Sequence, residues 1–275
     1  MRILVTGANG VLGKEVVKAS AGIAECRACT IKDIDVSQTH QISDALFKFR
    51  PHFVINCAGL VKYRPVLDSQ YIRVNSLAPQ IIAERCDWYS IKFIHVSTDC
   101  VYSGLDGKDF YTESDEPNPI DLYSRSKLAG EVTRLPHLTV RSSFIGYGER
   151  GLLGWLLRQK YDVTGYDLAF WSGVTAKVLA RTLIKLAINE ATGLVHIYGE
   201  RVSKYELLCK LVHLFNLNIN VIKGPTPEHH RVNRVLRTIS RWTPEELGVP
   251  DLDSMLTELY EDRSEYSSSN SNRPS

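Results

Sequence analysis

The amino-acid sequence predicts an α/β fold: a doubly wound parallel sheet with helices on both faces, followed by a smaller C-terminal lobe. Three observations carry this expectation. An apolar strand at the start of the chain, Met1-Arg2-Ile3-Leu4-Val5, runs into the turn Thr6-Gly7-Ala8-Asn9-Gly10-Val11-Leu12-Gly13 and then into a helical pattern at Val16, Val17 and Ala19. Strand-like and helix-like segments alternate from there, as parallel strands joined by crossover helices require. Finally, 275 residues with 44% hydrophobic and 23% charged content can bury a sizeable core and are ordinary for a globular chain.

Taken in order, strands are expected at 2–6, 25–31, 53–56, 91–97 and 137–141, with helices at 10–21, 38–49, 67–87, 121–134, 151–160 and 174–190. A strand at 194–197, a helix at 204–215, a short strand at 219–222 and a last helix at 251–260 follow. Between them the Pro-rich, basic stretch from Gly224 to Arg237 is expected to be a loop able to close over a ligand. Residues 267–275 are Ser/Asn-rich and expected to be disordered. The domain reading is residues 1–148 as one domain, completed by part of 172–198, with an interleaved second lobe at 149–262 and a tail at 263–275. No internal repeat is visible.

The glycine turn has a chemical meaning. Gly7 and Gly10 would let the backbone turn tightly and approach a pyrophosphate, and Gly13 would let the first helix pack closely with its N-terminal amides facing the anion. Asn9, Val11 and Leu12 complete this candidate cofactor loop. The spacing is Gly-x-x-Gly-x-x-Gly rather than the commoner Gly-x-Gly-x-x-Gly.

A second constellation lies at 97–127. Ser97, Thr98 and Asp99 follow a strand, and Tyr123-Ser124-Arg125-Ser126-Lys127 places a phenol and an ammonium one helical turn apart on one face. The ammonium is expected to draw the phenol pKa down toward working pH, which would let Tyr123 give or take a proton at a carbonyl or alcohol. By the rule that doubly wound sheets hold ligands at the carboxyl ends of their strands, Thr98 could bond the reacting oxygen, with Ser97 its rival and Asp99 an orienting group.

Other classes are disfavoured. A formal charge of +2 from 33 basic and 31 acidic residues gives no nucleic-acid surface. The apolar runs are too short to span a membrane, and the N-terminus lacks the zones of a signal peptide, so a cytoplasmic protein is expected. Cys26 and Cys29 would point to opposite faces of a strand, and Cys57, Cys86, Cys100 and Cys209 are scattered among apolar neighbours. All six read as reduced structural thiols. His229-His230 has no acidic or Cys ligand at useful spacing, so no metal is expected.

In these stretches, together with Val54-Ile55-Asn56-Cys57-Ala58-Gly59, Val74-Asn75, His95-Val96-Ser97-Thr98-Asp99-Cys100-Val101-Tyr102, Glu116-Pro117-Asn118-Pro119 and Tyr123 to Glu131, the chain resembles the extended short-chain dehydrogenases/reductases, nearest the dTDP-4-dehydrorhamnose reductase type. The resemblance covers the first half of the chain and thins beyond about residue 150. It implies a Rossmann-type dinucleotide-binding domain with a C-terminal substrate-binding lobe, and NADPH-dependent reduction of the 4-keto group of a nucleotide-linked 4-keto-6-deoxy sugar in polysaccharide or sugar-nucleotide biosynthesis. A homodimer is compatible with it.

The resemblance also assigns roles. It picks Thr98 over Ser97 as the catalytic hydroxyl, leaving Ser97 beside the cofactor. Tyr123 becomes the general acid, and Lys127 tunes it and bonds the nicotinamide ribose. Asp35-Val36 would lie beside the adenine, and Cys57-Ala58-Gly59 would pass close to the cofactor. Lys32 could meet a 2′-phosphate that Asp33 would oppose, so NADP(H) is favoured over NAD(H). Val101, Tyr102, Phe144 and Trp171 are the candidates on the substrate side. Phe144 stands where the family often has Trp, and Trp171 lies in a segment that departs from the family pattern. Cys100 replaces the acid that dehydratases need, so dehydration is disfavoured. An epimerase of the same fold stays open, as does a non-catalytic NADP-binding regulatory subunit resembling the methionine adenosyltransferase beta subunit.

Overall fold

Six strands form one wholly parallel sheet in this computed structural model, which describes residues 1–62, 65–264 and 266. In chain order the first half comprises β1 (Arg2–Thr6), α1 (Val11–Ser20), β2 (Glu25–Cys29), α2 (Thr39–Phe49), β3 (Phe53–Asn56), α3 (Asp68–Tyr71), α4 (Ala78–Trp88), β4 (Lys92–Val96), α5 (Leu122–Ala129) and β5 (Leu138–Arg141). Short elements follow: β6 (Phe144–Ile145), α6 (Leu152–Leu156), β7 (Val163–Tyr166), β8 (Phe170–Trp171) and β9 (Val174–Thr175). Then α7 (Ala176–Ile188) and β10 (Gly193–His196) return to the sheet. The chain ends in β11 (Val202–Ser203), α8 (Lys204–Leu214), β12 (Val221–Gly224), α9 (Pro244–Leu247) and α10 (Leu252–Glu261).

The sheet order is β2-β1-β3-β4-β5-β10. Alternation along β1 separates two helix layers. Ile3 and Val5 join Leu12 and Val16 of α1 and Leu179 and Leu183 of α7 in one core, whereas Leu4 joins Ile42 and Leu46 of α2 and Ile82 of α4 in the other. Each such fully buried aliphatic side chain is worth roughly 1.5–3 kcal/mol relative to an exposed one. From β1 the chain runs outward to β2, then returns to place β3 on the other side of β1. That reversal opens a crevice at the carboxyl ends of β1 and β3, the position where doubly wound sheets bind ligands.

Several elements differ from their expected bounds for identifiable reasons. The helix expected at 67–87 is interrupted by a π-helical stretch, Ile72–Leu77. The helix expected at 121–134 stops at Ala129 because Gly130 presses on that stretch; a Cβ at Gly130 would lie 1.9 Å from the Asn75 carbonyl oxygen. Strand β2 ends at Cys29 rather than residue 31, since the Thr30 N–H and hydroxyl both donate to Asp33 Oδ2 at 2.8 Å and fold a turn. The helix expected at 151–160 shortens to Leu152–Leu156, and the strand expected at 219–222 shifts to Val221–Gly224, paired with β7.

The stretch Gly224 to Arg237 is no loose flap over its second half. The Asn233 N–H donates to the Gly104 carbonyl (2.9 Å), Tyr111 N–H to Val235 O (2.8 Å), Arg237 N–H to Tyr111 O (2.8 Å) and Leu236 N–H to Ser172 Oγ (2.9 Å). Beyond α10, Tyr266 stacks on Tyr147 with ring centroids 4.4 Å apart. The disorder expected at 267–275 lies outside the described residues.

At the carboxyl edge of the sheet a buried ion pair joins three segments. Arg141, at the end of β5, gives Nε–H to Glu131 Oε1 (2.8 Å) and Nη2–H to Oε2 (2.6 Å), and both side chains are almost fully buried. Glu131 also accepts from Ser97 Oγ (2.6 Å), and Arg141 Nη1 donates to the Tyr102 hydroxyl (2.6 Å). Removing one partner of such a pair strands a buried charge at a cost of about 3–5 kcal/mol. Glu131→Gln is therefore expected to lower the urea midpoint by a corresponding amount, and an unchanged midpoint would show that the pair contributes no net stability.

Candidate active site

The glycine loop sits at the crevice. Gly7 adopts a left-handed backbone (φ +65°), and a Cβ there would come within 2.6 Å of the Ala58 nitrogen, so the loops after β1 and β3 meet only because Gly7 has no side chain. A Cβ at Gly13 would lie 2.1 Å from the Gly7 carbonyl oxygen, which is how closely α1 packs on the loop. Gly10 caps α1 without any side-chain hydrogen bond, and the first turn holds no acid. The leading amides are thus left to an external anion. Asn9 and Gly10 are exposed, while Val11 lies against Gly146 and Gly148. Leu12 is a correction in part: its side chain belongs to the core, so only its backbone faces the loop.

Just beyond β2, Lys32 is exposed and Asp33 is turned back on Thr30, a pairing that holds its carboxyl below the ordinary range. Asp35 accepts from the Ser37 N–H (2.9 Å) and hydroxyl (2.8 Å), and Val36 is buried. After β3, Cys57, Ala58 and Gly59 line the crevice; a Cβ at Gly59 would lie 4.0 Å from Lys127 Nζ. Asn75, whose place inside a helix suggests a hydrogen-bonding duty, has one. It accepts from Leu60 N–H (2.8 Å) and donates to Leu60 O (3.0 Å) and Ser126 Oγ (3.1 Å), tying this loop to α5.

At the end of β4 the candidate hydroxyls separate. Ser97 is committed to Glu131. Thr98 caps the short 3-10 turn Asp99–Val101, accepting from Cys100 N–H (3.2 Å) and donating to Asp99 Oδ1 (3.2 Å), with its hydroxyl on the side of the Tyr123 phenol. Asp121 caps α5 by accepting from Ser124 N–H (2.8 Å) and pairs with Lys62 at 2.7 Å. Thr98, Asp99, Tyr123 and Lys127 thus gather at one strand end.

Their electrostatics differ from the expectation. Burial lifts the Tyr123 phenol above its ordinary value, the Cys100 thiol and the Asp99 and Asp121 carboxylates add to the rise, and the Thr98 hydrogen bond opposes it. The lowering expected from Lys127 is absent because Lys127 Nζ turns toward β4. It donates to the Val96 carbonyl (2.6 Å) and sits 3.4 Å from His95 Nε2. Burial brings the Lys127 ammonium down to about 8, with the Glu131 carboxylate and the Cys57 thiol opposing.

Three candidates on the substrate side are corrected. Val101 is fully buried with Tyr111, Tyr198 and Leu236. Tyr102 is fully buried too, stacked on Tyr111 at 4.3 Å, its hydroxyl donating to Thr112 O (2.9 Å) and receiving Arg141. Trp171 is 3% exposed, its Nε1–H bonded to Ser143 Oγ (2.8 Å) and its ring covering Gly173. Aromatic rings enclosed in this way have no face for a ligand. Phe144 is exposed and keeps its candidacy.

Two basic residues escaped the sequence reading. Lys204, at the start of α8, places its ammonium 5.2 Å from the Trp171 ring centroid; burial lowers its pKa, against the pull of Asp99 and Cys100. Arg234 donates from Nε to Tyr102 O (2.8 Å) and from Nη1 to Cys100 Sγ (3.7 Å). The C-terminal part thereby sends two cations to the side of the Thr98–Tyr123 pair. Only the fold brings them there, and no local motif marks either. Among the described residues no group of three or more His, Cys, Asp or Glu could hold a metal ion, and no helix is long and apolar enough to cross a membrane.

A parallel sheet with a glycine loop at its switch point and a Thr/Tyr/Lys set one strand away defines a dinucleotide-binding oxidoreductase architecture. The family model for the RmlD substrate binding domain matches residues 1–235, and the chain belongs to that family. It is 37% identical over 169 residues to a probable low-salt glycan biosynthesis reductase of Haloferax volcanii, covering 55% of each, so the match spans about half of that relative. It is 31% identical over 212 residues to the dTDP-4-keto-6-deoxy-D-glucose reductase of Streptomyces niveus (71% of this chain, 72% of that protein). It is also 24% identical over 254 residues to the methionine adenosyltransferase 2 subunit beta of Bos taurus (78% and 72%). Its fold superposes on the dTDP-4-dehydrorhamnose reductase of Bacillus anthracis in complex with NADP, with a TM-score of 0.81 and 21% identity over 95% of this chain and 99% of that one.

The cysteines lend themselves to a direct check. Burial pushes the Cys57 and Cys100 thiols up to about 12, so at pH 8 each carries far less thiolate than a free cysteine near 8.5. Iodoacetamide labelling read by mass spectrometry is expected to modify both much more slowly than a cysteine peptide. Equal rates would show that neither thiol is shielded.

Proposed function

We propose that this chain reduces the 4-keto group of a nucleotide-linked 4-keto-6-deoxy sugar, using NADPH. The observation that carries this is the gathering of Thr98, Tyr123 and Lys127 at the end of β4, with the glycine loop across the crevice. The names of the relatives support the same chemistry. The residues fit a dinucleotide: uncapped amides at the start of α1, a Gly7 that leaves room for backbone approach, and small residues at 57–59. When bound, the reduced nicotinamide supplies a hydride to the carbonyl carbon.

The protein does the rest. Thr98 donates to the carbonyl oxygen, Tyr123 delivers the proton that turns the developing alkoxide into an alcohol, and Lys127 bonds the ribose. A phenol held above its ordinary pKa is a fully protonated acid before the reaction, which suits the reducing direction. Exposed Lys32, with Asp33 spent on its own turn, supports a 2′-phosphate and therefore NADP over NAD. Lys204 and Arg234 supply positive charge for the substrate diphosphate, and Phe144 offers an exposed ring to its sugar or base.

The test is NADPH oxidation with 4-keto-6-deoxy sugars on dTDP, UDP and GDP. Wild type is expected to turn over, and Tyr123→Phe to lose at least about 100-fold in kcat while NADPH affinity stays nearly unchanged. Lys204→Met is expected to raise KM for the sugar nucleotide more than it lowers kcat. Binding of NADPH without reduction of any of these sugars would refute the reductase reading. Stable capture of a methionine adenosyltransferase catalytic subunit would then favour the regulatory role that the Bos taurus relative suggests.

A further inference from the structure

Four polar side chains stand in a row beneath the crevice: Thr6, Asn56, His95 and Lys127, all at most 6% exposed. The first three are direct cross-strand neighbours on β1, β3 and β4, and Lys127 comes from α5. Among the buried Val, Ile, Leu and Phe of these strands, a polar residue at each of these positions must find partners within the row.

The hydrogen bonds settle which atom does what. The Ala58 backbone N–H can only donate, and it meets Asn56 Oδ1 at 3.2 Å; the Thr6 hydroxyl donates to the same oxygen at 2.6 Å. The carboxamide is therefore oriented, and its NH2 faces His95 Nδ1 at 3.0 Å. An NH2 group only donates, so Nδ1 is the acceptor and the neutral ring carries its proton on Nε2. That proton points at Lys127 Nζ, 3.4 Å away. An ammonium there would set donor against donor, whereas an amine offers a lone pair and still donates to Val96 O.

We propose that the Thr6–Asn56–His95 row makes His95 a positioning residue, one that donates through Nε2–H to Lys127 and thereby favours the neutral amine of this lysine over its ammonium in the cofactor-free site. The burial that brings Lys127 down to about 8 acts in the same direction. The other groups facing the lysine are the Glu131 carboxylate beyond its own helix and the Cys57 thiol after β3. Both favour the ammonium, but both Glu131 oxygens are engaged by Arg141 and one also by Ser97. Any consequence for catalysis rests on the reading of Lys127 as the partner of Tyr123. The protonation pattern itself does not.

The experiment uses the full chain without substrate, so it stands even if no keto sugar is reduced. Imidazole 15N spectra, with the His95 signals identified by their loss in His95→Gln, report the tautomer; the side-chain NMR titration of Lys127, assigned by Lys127→Arg, reports its charge. Wild type is expected to show Nδ1 unprotonated and Lys127 losing its proton well below the ordinary value of about 10.4. In Asn56→Asp the new carboxylate keeps its contacts to Thr6 and Ala58 but accepts from His95 Nδ1–H. The tautomer should reverse, leaving Nε2 to accept from an ammonium, and the proton affinity of Lys127 should rise at least about tenfold, one pKa unit. A wild-type His95 protonated on Nδ1, or an ordinary Lys127 titration, would overturn the proposal without any variant. A rise in Asn56→Asp with the tautomer unchanged would overturn it too, because added charge alone would then account for the effect.

Discussion

The Glu131–Arg141 pair is the constraint on which the rest of the architecture turns. A buried ion pair recovers its desolvation cost only when the remaining lone pairs and protons are also met. Here they are: Ser97 on one carboxylate oxygen, two guanidinium nitrogens on Glu131 and a third on the Tyr102 hydroxyl. Together these bonds join the end of β4, the segment after α5 and the end of β5. Ser97 sets how β4 ends and so where Thr98 emerges. Tyr102 stacks on Tyr111, which in turn holds the 235–237 backbone. The position of the Thr98 hydroxyl is thereby tied to a desolvated pair that tolerates little displacement.

A second organising fact is topological. The crevice at β1 and β3 follows from strand order alone, and the glycine loop, Cys57 to Gly59 and Thr98 are all delivered to it from strand ends or the loops just beyond. Asn75 extends that logic across layers. Its amide grips Leu60 and Ser126 together, so the loop after β3 is tied to the helix bearing Tyr123 and Lys127. The π-helical stretch that carries Asn75 leaves its carbonyl against Gly130, where only glycine fits.

Much of this was legible in the sequence, where local pattern and function coincide. The strand–glycine–helix start, the alternation through 188 and the clustering of Thr98, Asp99, Tyr123 and Lys127 each follow from spacing. What spacing hides is direction. Val101 and Tyr102 sit close to Thr98 in sequence, yet the 3-10 turn sends them into an aromatic core. Trp171 was expected beside a ligand and instead closes over Gly173. Lys204 and Arg234 arrive from segments distant in sequence and carry no motif. The influence of Lys127 on the Tyr123 phenol differs from expectation for a related reason: helical spacing puts the two near one another, but the lysine's terminal nitrogen is claimed by β4.

The backbone bonds between residues 104–111 and 233–237 stitch the far end of the chain onto the sheet-bearing half like a seam. With Leu236 buried and its N–H bonded to Ser172, opening the two halves as a clamshell would expose several backbone polar groups and an aromatic cluster at once. Because most of these bonds run from main chain to main chain, a single side-chain substitution leaves the seam's hydrogen bonds in place, and the spacing of the two halves is set by the backbone itself.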